Sequence, residues 1–160
     1  MNSNKLKSSY EFSIAPNSVL ALDLEGTLIS NAMSQIPRPN LHPFLTNCKQ
    51  AFQRIVIFTA INEERFRKIA ILLSDEGAAP EWFKDLEYIN WSGEHKDLNF
   101  IPNSNMSRTI LVDDRVEYIQ PSQIDYWLYI PEFAPPYPGA DNELNLLWEK
   151  LLKRHSDLMK

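Results

Sequence analysis

Three stretches of the chain are apolar almost without a break and close on polar or turn residues. They are Val19–Leu24 (Val-Leu-Ala-Leu-Asp-Leu), Ile55–Thr59 (Ile-Val-Ile-Phe-Thr) and Thr109–Asp113 (Thr-Ile-Leu-Val-Asp). Runs of this kind, without in-out alternation, suit strands covered on both faces of a parallel sheet. Leu86–Trp91 and Tyr126–Ile130 are weaker strand candidates. Between the strands the apolar residues change to helical spacing, at Phe44, Leu45, Cys48 and Phe52 and again at Phe66, Ile69, Ala70 and Leu73. Asn62 is placed to cap the second of these helices and Gly77 to end it. A last stripe, Leu144, Leu147, Trp148, Leu151 and Leu152, follows the helix starters Asp141 and Asn142. The leucines and aromatics of these stripes read as core.

Strands alternating with helices predict an α/β fold with a central, mostly parallel sheet and right-handed crossovers, in which ligands bind beyond the carboxyl ends of the strands. That rule brings Asp23, Thr59 and Asp113 to one edge of the sheet, although they are distant in sequence. The 160 residues, 44% hydrophobic and 11% aromatic, suffice for one continuous core, so a single domain over 1–160 is expected, with 1–15 a flexible or peripheral segment. Clustered prolines (Pro37, Pro39 and Pro43; Pro131, Pro135, Pro136 and Pro138) mark connections.

The net charge of -5 argues against stable binding to nucleic acid or anionic membranes, which gather Lys and Arg for phosphates. The lone Cys48 has no disulfide partner and no zinc-ligand spacing, which points to a reducing compartment. Polar residues 1–9 lack the apolar run of a signal peptide, and no apolar stretch is long enough to span a membrane. A soluble, cytoplasmic protein is expected.

A carboxylate at a strand end, followed by a turn at Gly26, can project into a crevice and attack phosphorus to give an aspartyl-phosphate that water hydrolyses. Such an attack brings two anions together, so it needs a divalent cation and fixed positive donors. Asp113 and Asp114, adjacent at the end of another strand, complete an oxygen-ligand set with Asp23 that suits Mg2+.

With Asp23-Leu24-Glu25-Gly26-Thr27, Thr59, Lys96 and Asp113-Asp114 in that order, the chain resembles the phosphatases of the haloacid-dehalogenase superfamily. Within that superfamily it is most similar to the phosphatases related to NLI-interacting factor and to the RNA polymerase carboxyl-terminal domain. The narrower likeness rests on Arg38-Pro39, Ile57-Phe58-Thr59-Ala60, Lys96-Asp97-Leu98 and Ile110-Leu111-Val112-Asp113-Asp114. The resemblance implies a Rossmann-like three-layer sandwich without a large cap domain. It also implies that Asp23 is nucleophile and metal ligand, and that Glu25 is general acid-base, its backbone carbonyl on the metal. Thr59 and Ala60 would contact the phosphoryl oxygens, Lys96 would neutralise them, and Asp113 and Asp114 would hold Mg2+. Arg38, near a motif loop, is a candidate for an added contact to the substrate phosphate, which a guanidinium grips through two donors.

Taken singly, Thr59 reads as a helix cap and Lys96 as a solvated lysine; the joint placement at one sheet edge favours a phosphoryl site. Arg38 reads equally as a loop anchor, Arg115 is a lesser phosphate candidate, and His95 a lesser base. The family's usual acid-base residue is Asp, so Glu25 raises a second reading, a phospho-ligand binding module with little turnover. A phosphotransferase would use the same residues. Short gaps after the first two motifs predict an open site and a phosphorylated substrate that is a protein side chain, a nucleic-acid end or a metabolite, with oligomeric state open.

Overall fold

The computed structural model describes residues 13–160. Five strands, β1 (Ala15–Leu22), β2 (Phe52–Ile57), β3 (Glu87–Tyr88), β4 (Thr109–Asp113) and β5 (Trp127–Tyr129), form one sheet in the order β3-β2-β1-β4-β5. Every neighbouring pair is parallel, with Leu22 opposite both Ile57 and Val112 and Asp113 opposite Tyr129. The chain builds outward from β1 through β2 to β3, then returns to the other side of β1 for β4 and β5. The topological switch therefore falls at β1 and β4, where a parallel sheet opens a crevice at its carboxyl edge.

The unbroken apolar runs are explained by burial on both faces. Leu20, Leu22, Ile55, Ile57, Ile110 and Val112 pack under the helices α1 (Leu41–Ala51), α2 (Glu63–Asp75) and α3 (Glu143–Leu158). Val19, Ala21, Val56 and Leu111 face the opposite way, onto Leu98, Ile101 and Ile119. All three long helices thus feed one layer, while the second outer layer is built from short 3-10 turns such as Leu98–Phe100, Met106–Arg108 and Val116–Tyr118. Between β3 and β4 the Asn-, Ser- and Pro-rich sequence satisfies its backbone with local side-chain bonds, Asp97 to Asn99 and Asn105 to Ser107, in place of a longer helix.

Local capping is as the sequence indicates for α2. The Asn62 side chain accepts the Arg65 N–H at 2.9 Å. Gly77, at φ +76°, donates to Ser74 while the Ala78 N–H returns to Leu73 at 2.9 Å, a left-handed cap that glycine adopts at least cost. Several boundaries differ: the strands expected over Ile55–Thr59, Leu86–Trp91 and Tyr126–Ile130 run over Phe52–Ile57, Glu87–Tyr88 and Trp127–Tyr129. Phe52 opens β2 instead of ending α1; its N–H still bonds to Cys48, but its backbone is already extended. Its ring is buried in the same core either way, so periodicity alone did not separate the elements. Of the expected peripheral segment 1–15, residues 1–12 lie outside the described residues, and Ala15 is buried at the start of β1. The strand begins four positions before Val19, across a register shift at the left-handed Asn17, and ends at Leu22, leaving Asp23 and Leu24 in the following loop.

Between Asp23 and α1 there is only a loop, and between α2 and Lys96 only a 3-10 turn and β3, so no cap domain intervenes among the described residues. Among the described residues no helix is long and apolar enough to cross a membrane. Replacing the capping side chain in Asn62→Ala removes one satisfied N–H at the start of α2, and urea denaturation should register a loss of about 1 kcal/mol.

Candidate active site

At the end of β1 the Asp23 N–H makes a last ladder bond to Val112, and the chain then winds through a tight turn in which Leu28 N–H bonds to Leu24. The turn depends on Gly26. Its φ is +75°, and a Cβ there would stand 2.4 Å from Asp114 Oδ2, so a side chain would displace a carboxylate of the site.

The loop is clamped from below by Arg38. That guanidinium, 2% exposed, donates to the carbonyls of Gly26 and Thr27 at 3.2 Å each and forms a two-point pair with Asp141, Nε to Oδ1 at 3.1 Å and a terminal nitrogen to Oδ2 at 3.2 Å. It also lies over the Phe133 ring, whose own N–H donates to Gly26. Of the two readings the sequence leaves open for Arg38, this geometry favours the loop anchor, since its bonds run to protein groups and the side chain is closed off from solvent. Pro131–Gly139, which contains Phe133 packed on Tyr137, is the strap of this clamp.

Above the clamp, Asp23, Asp113 and Asp114 bring carboxylate oxygens within 4.8 Å of one another. Fully buried Lys96 donates to Asp23 Oδ1 at 2.9 Å and to Asp113 Oδ2, while the Thr27 hydroxyl bonds to Asp23 Oδ2 at 2.9 Å and lies 3.3 Å from Asp114 Oδ1. Asp113 Oδ1 accepts the Arg115 N–H. Asp114 Oδ2 is different: it is buried and has no partner among the described residues.

Three carboxylates against one ammonium leave excess negative charge out of water. Burial, followed by the nearby Asp23 charge, pushes the Asp113 carboxyl up to about 6, even with Lys96 opposing. Burial and Asp23, with a contribution from Asp113, push Asp114 up to about 8. Burial alone would lower Lys96, but Asp23 and Asp113 outweigh it and hold the ammonium above its ordinary value. The residues present fit a hard divalent cation: clustered carboxylate oxygens, a partnerless buried oxygen and uncompensated negative charge.

Thr59 is buried beside this cluster at the end of the β2 run, with exposed Ala60 next to it on the wall of the same pocket. The Thr59 oxygen accepts the Ile61 N–H at 3.2 Å, leaving its own proton for a ligand oxygen. Glu25 lines the pocket too, but its Oε2 accepts the Ala32 N–H at 2.8 Å and its carboxylate stands outside the acidic cluster. Any part it takes in holding a cation falls to its backbone carbonyl. Arg115 lies on the rim, exposed and 3.8 Å from Glu132. His95 does not line the pocket.

The chain has counterparts among known proteins. The family model described as NLI interacting factor-like phosphatase matches residues 18–159. The chain belongs to this family. Its fold is similar to that of fission yeast RNA polymerase II CTD phosphatase Fcp1, seen as a variant bound to beryllium fluoride. The TM-score is 0.52 at 15% identity, over 97% of this chain and 55% of that one, so the chain spans little more than half the length of that relative. No curated protein sequence matches significantly. The family match takes in the whole constellation, Asp23, Glu25, Thr59, Ala60, Lys96, Asp113 and Asp114.

Three contributors escaped the sequence. Thr27, in the loop after Asp23, has a hydroxyl whose role nothing in the sequence pattern marks. Asp141 read only as a helix starter, which it also is, accepting the Glu143 N–H at 3.2 Å. Tyr118, whose ring lies 4.9 Å from the Lys96 ammonium, has no local signal at all.

The clamp generates one prediction. Asp141→Asn leaves a buried guanidinium uncompensated and should cost about 3 kcal/mol in denaturant unfolding, whereas the double variant Arg38→Met with Asp141→Leu should recover much of that loss. The carboxylates generate another. Unfolded Asp114 ionises near 3.8 and the folded group near 8, so the unfolded state releases its proton first and metal-free stability falls as pH rises through that window. Calorimetric melting should show this fall, Mg2+ should raise Tm more at pH 8 than at pH 5.5, and Asp114→Asn should flatten both trends.

Proposed function

We propose that the chain is a magnesium-dependent phosphomonoesterase that works through an aspartyl-phosphate on Asp23. The observation that carries this reading is Asp23 itself. Its two oxygens are fixed by Lys96 and Thr27 at the switch-point crevice, beside a buried carboxylate oxygen that has no partner among the described residues.

Asp23 attacks phosphorus and the ester oxygen departs. Lys96 and the Thr59 hydroxyl offset the charge that builds on the phosphoryl oxygens, as preorganised donors do most effectively where water is scarce. Glu25, held through Oε2 by Ala32, has its other oxygen to protonate the leaving group and then to take the proton of the water that opens the aspartyl-phosphate. Asp23, Asp113 and Asp114, with the Glu25 carbonyl, would hold Mg2+, which supplies neutralisation of the incoming phosphoryl group. The phosphoryl pocket, about 200 Å3, is open at its rim.

Turnover of an aryl phosphate with Mg2+ tests the reading. Asp23→Asn should lower kcat/KM at least about a thousandfold, as loss of a nucleophile does. Glu25→Gln should release about one equivalent of aryl alcohol in a burst, since that leaving group departs without an acid, and then turn over about a hundredfold slower. A parent protein that binds phosphate esters and releases no product would instead favour the binding-module reading that Glu25 raises.

A further inference from the structure

The phosphoryl pocket, about 200 Å3, holds a phosphoryl group and its cation but not the rest of an ester, since ligand sites typically need about 300–1,000 Å3. A second concavity of about 480 Å3 continues from it, sharing Thr59, Ala60 and Tyr118. The rest of its wall is Tyr88 and Trp91, the amides of Asn62 and Asn90, the Ser92 hydroxyl and Gly93. None of these side chains is charged at neutral pH.

The rings of this wall are fixed by bonds to the loop that carries Thr59. Trp91 Nε1 donates to the Thr59 carbonyl at 2.7 Å, and the Tyr88 hydroxyl donates to the Ile61 carbonyl. Trp91 meets Tyr118 edge-on at 5.9 Å and 83°, and the Tyr118 face covers Lys96. An aromatic surface immobilised in advance asks little ordering cost of a ligand. An uncharged wall also discriminates: a second phosphate or carboxylate brought against it would lose water and find no cation.

We infer that this groove is the leaving-group subsite of the proposed phosphomonoesterase and takes an uncharged planar ring carried near the ester oxygen. The ring packs against Trp91 and Tyr118 while Asn62, Asn90 and Ser92 meet its polar substituents. A nucleoside or a phosphotyrosyl side chain would supply such a ring. The inference rests on the phosphatase reading for the identity of the pocket, but its test does not need turnover.

Benzylphosphonate and ethylphosphonate present the same non-hydrolysable phosphoryl group with and without a ring. Calorimetry on the full chain with Mg2+ should find the benzyl compound at least about tenfold tighter, the usual scale for one ring stacked on an aromatic side chain. Trp91→Ala should bring the ratio near one, while Trp91→Phe should keep most of it. The ratio is the readout because loss of the Trp91–Thr59 bond weakens both ligands together. Equal affinities, no binding of either compound, or a ratio unchanged in Trp91→Ala would overturn the subsite. An adenosine phosphonate and a phosphonomethyl-phenylalanine amide then separate the two sources by which binds tighter. A tenfold ratio without turnover of any ester removes the hydrolase and keeps the subsite; turnover with a ratio of one does the reverse.

Discussion

The site depends on one buried ammonium. Lys96 is enclosed at the carboxyl edge of the sheet between Asp23 on β1's loop and Asp113 on β4, the two strands that flank the topological switch. Like charges about 4 Å apart repel by several kcal/mol where the effective dielectric is near 20. Without Lys96 the strand-end carboxylates could not all stay ionised in contact, and even with it Asp113 and Asp114 are driven toward their protonated forms. The remaining excess is what gives the cluster its demand for a cation. Stability and cation affinity would therefore be coupled with opposite sign: the charge that costs folding energy in the metal-free chain is the charge that would hold a divalent cation.

A strained cluster has to be held in place by something that is not part of it. The Arg38–Asp141 pair does this by joining the loop after Asp23 to the start of α3, 103 residues away in sequence, with Phe133 sandwiched into the same contact. Buried ion pairs of this kind add little net stability compared with a well-packed apolar replacement, because desolvation offsets their attraction. Their directional bonds matter more here. Both carbonyls that Arg38 grips belong to the turn that aims Asp23, so the pair fixes backbone geometry that apolar packing would leave free to slide.

What was readable in the sequence follows from how local its cause is. The meeting of Asp23, Thr59 and Asp113 was legible because doubly buried strands leave unbroken apolar runs, and a parallel sheet puts their ends on one edge. The α2 caps were legible because they lie within a few residues of the helix they serve. Lys96 sits in an irregular segment without periodicity, and only the resemblance picked it out. Phe52 was misassigned because helix and strand both wanted an apolar residue there. The structural role of Arg38 needed Asp141, and nothing local links them. The second outer layer was not legible, because its 3-10 turns are short runs that carry no period of their own.

Tyr118 and Trp91 bear on how an uncapped site keeps its charges strong. Water at an open rim would screen Lys96 and lengthen the reach needed to neutralise a phosphoryl oxygen. The Tyr118 ring lies over the ammonium at 4.9 Å and is itself braced by Trp91, so Lys96 remains fully buried although the neighbouring pocket wall is open. A ring face also attracts a cation, so this cover costs the lysine less than an aliphatic one would. Exclusion of water is thus achieved one group at a time, at the lysine, with no cap domain among the described residues. The price is that the same two rings also line the groove next to the pocket, so whatever occupies that groove meets the residues that keep Lys96 dry.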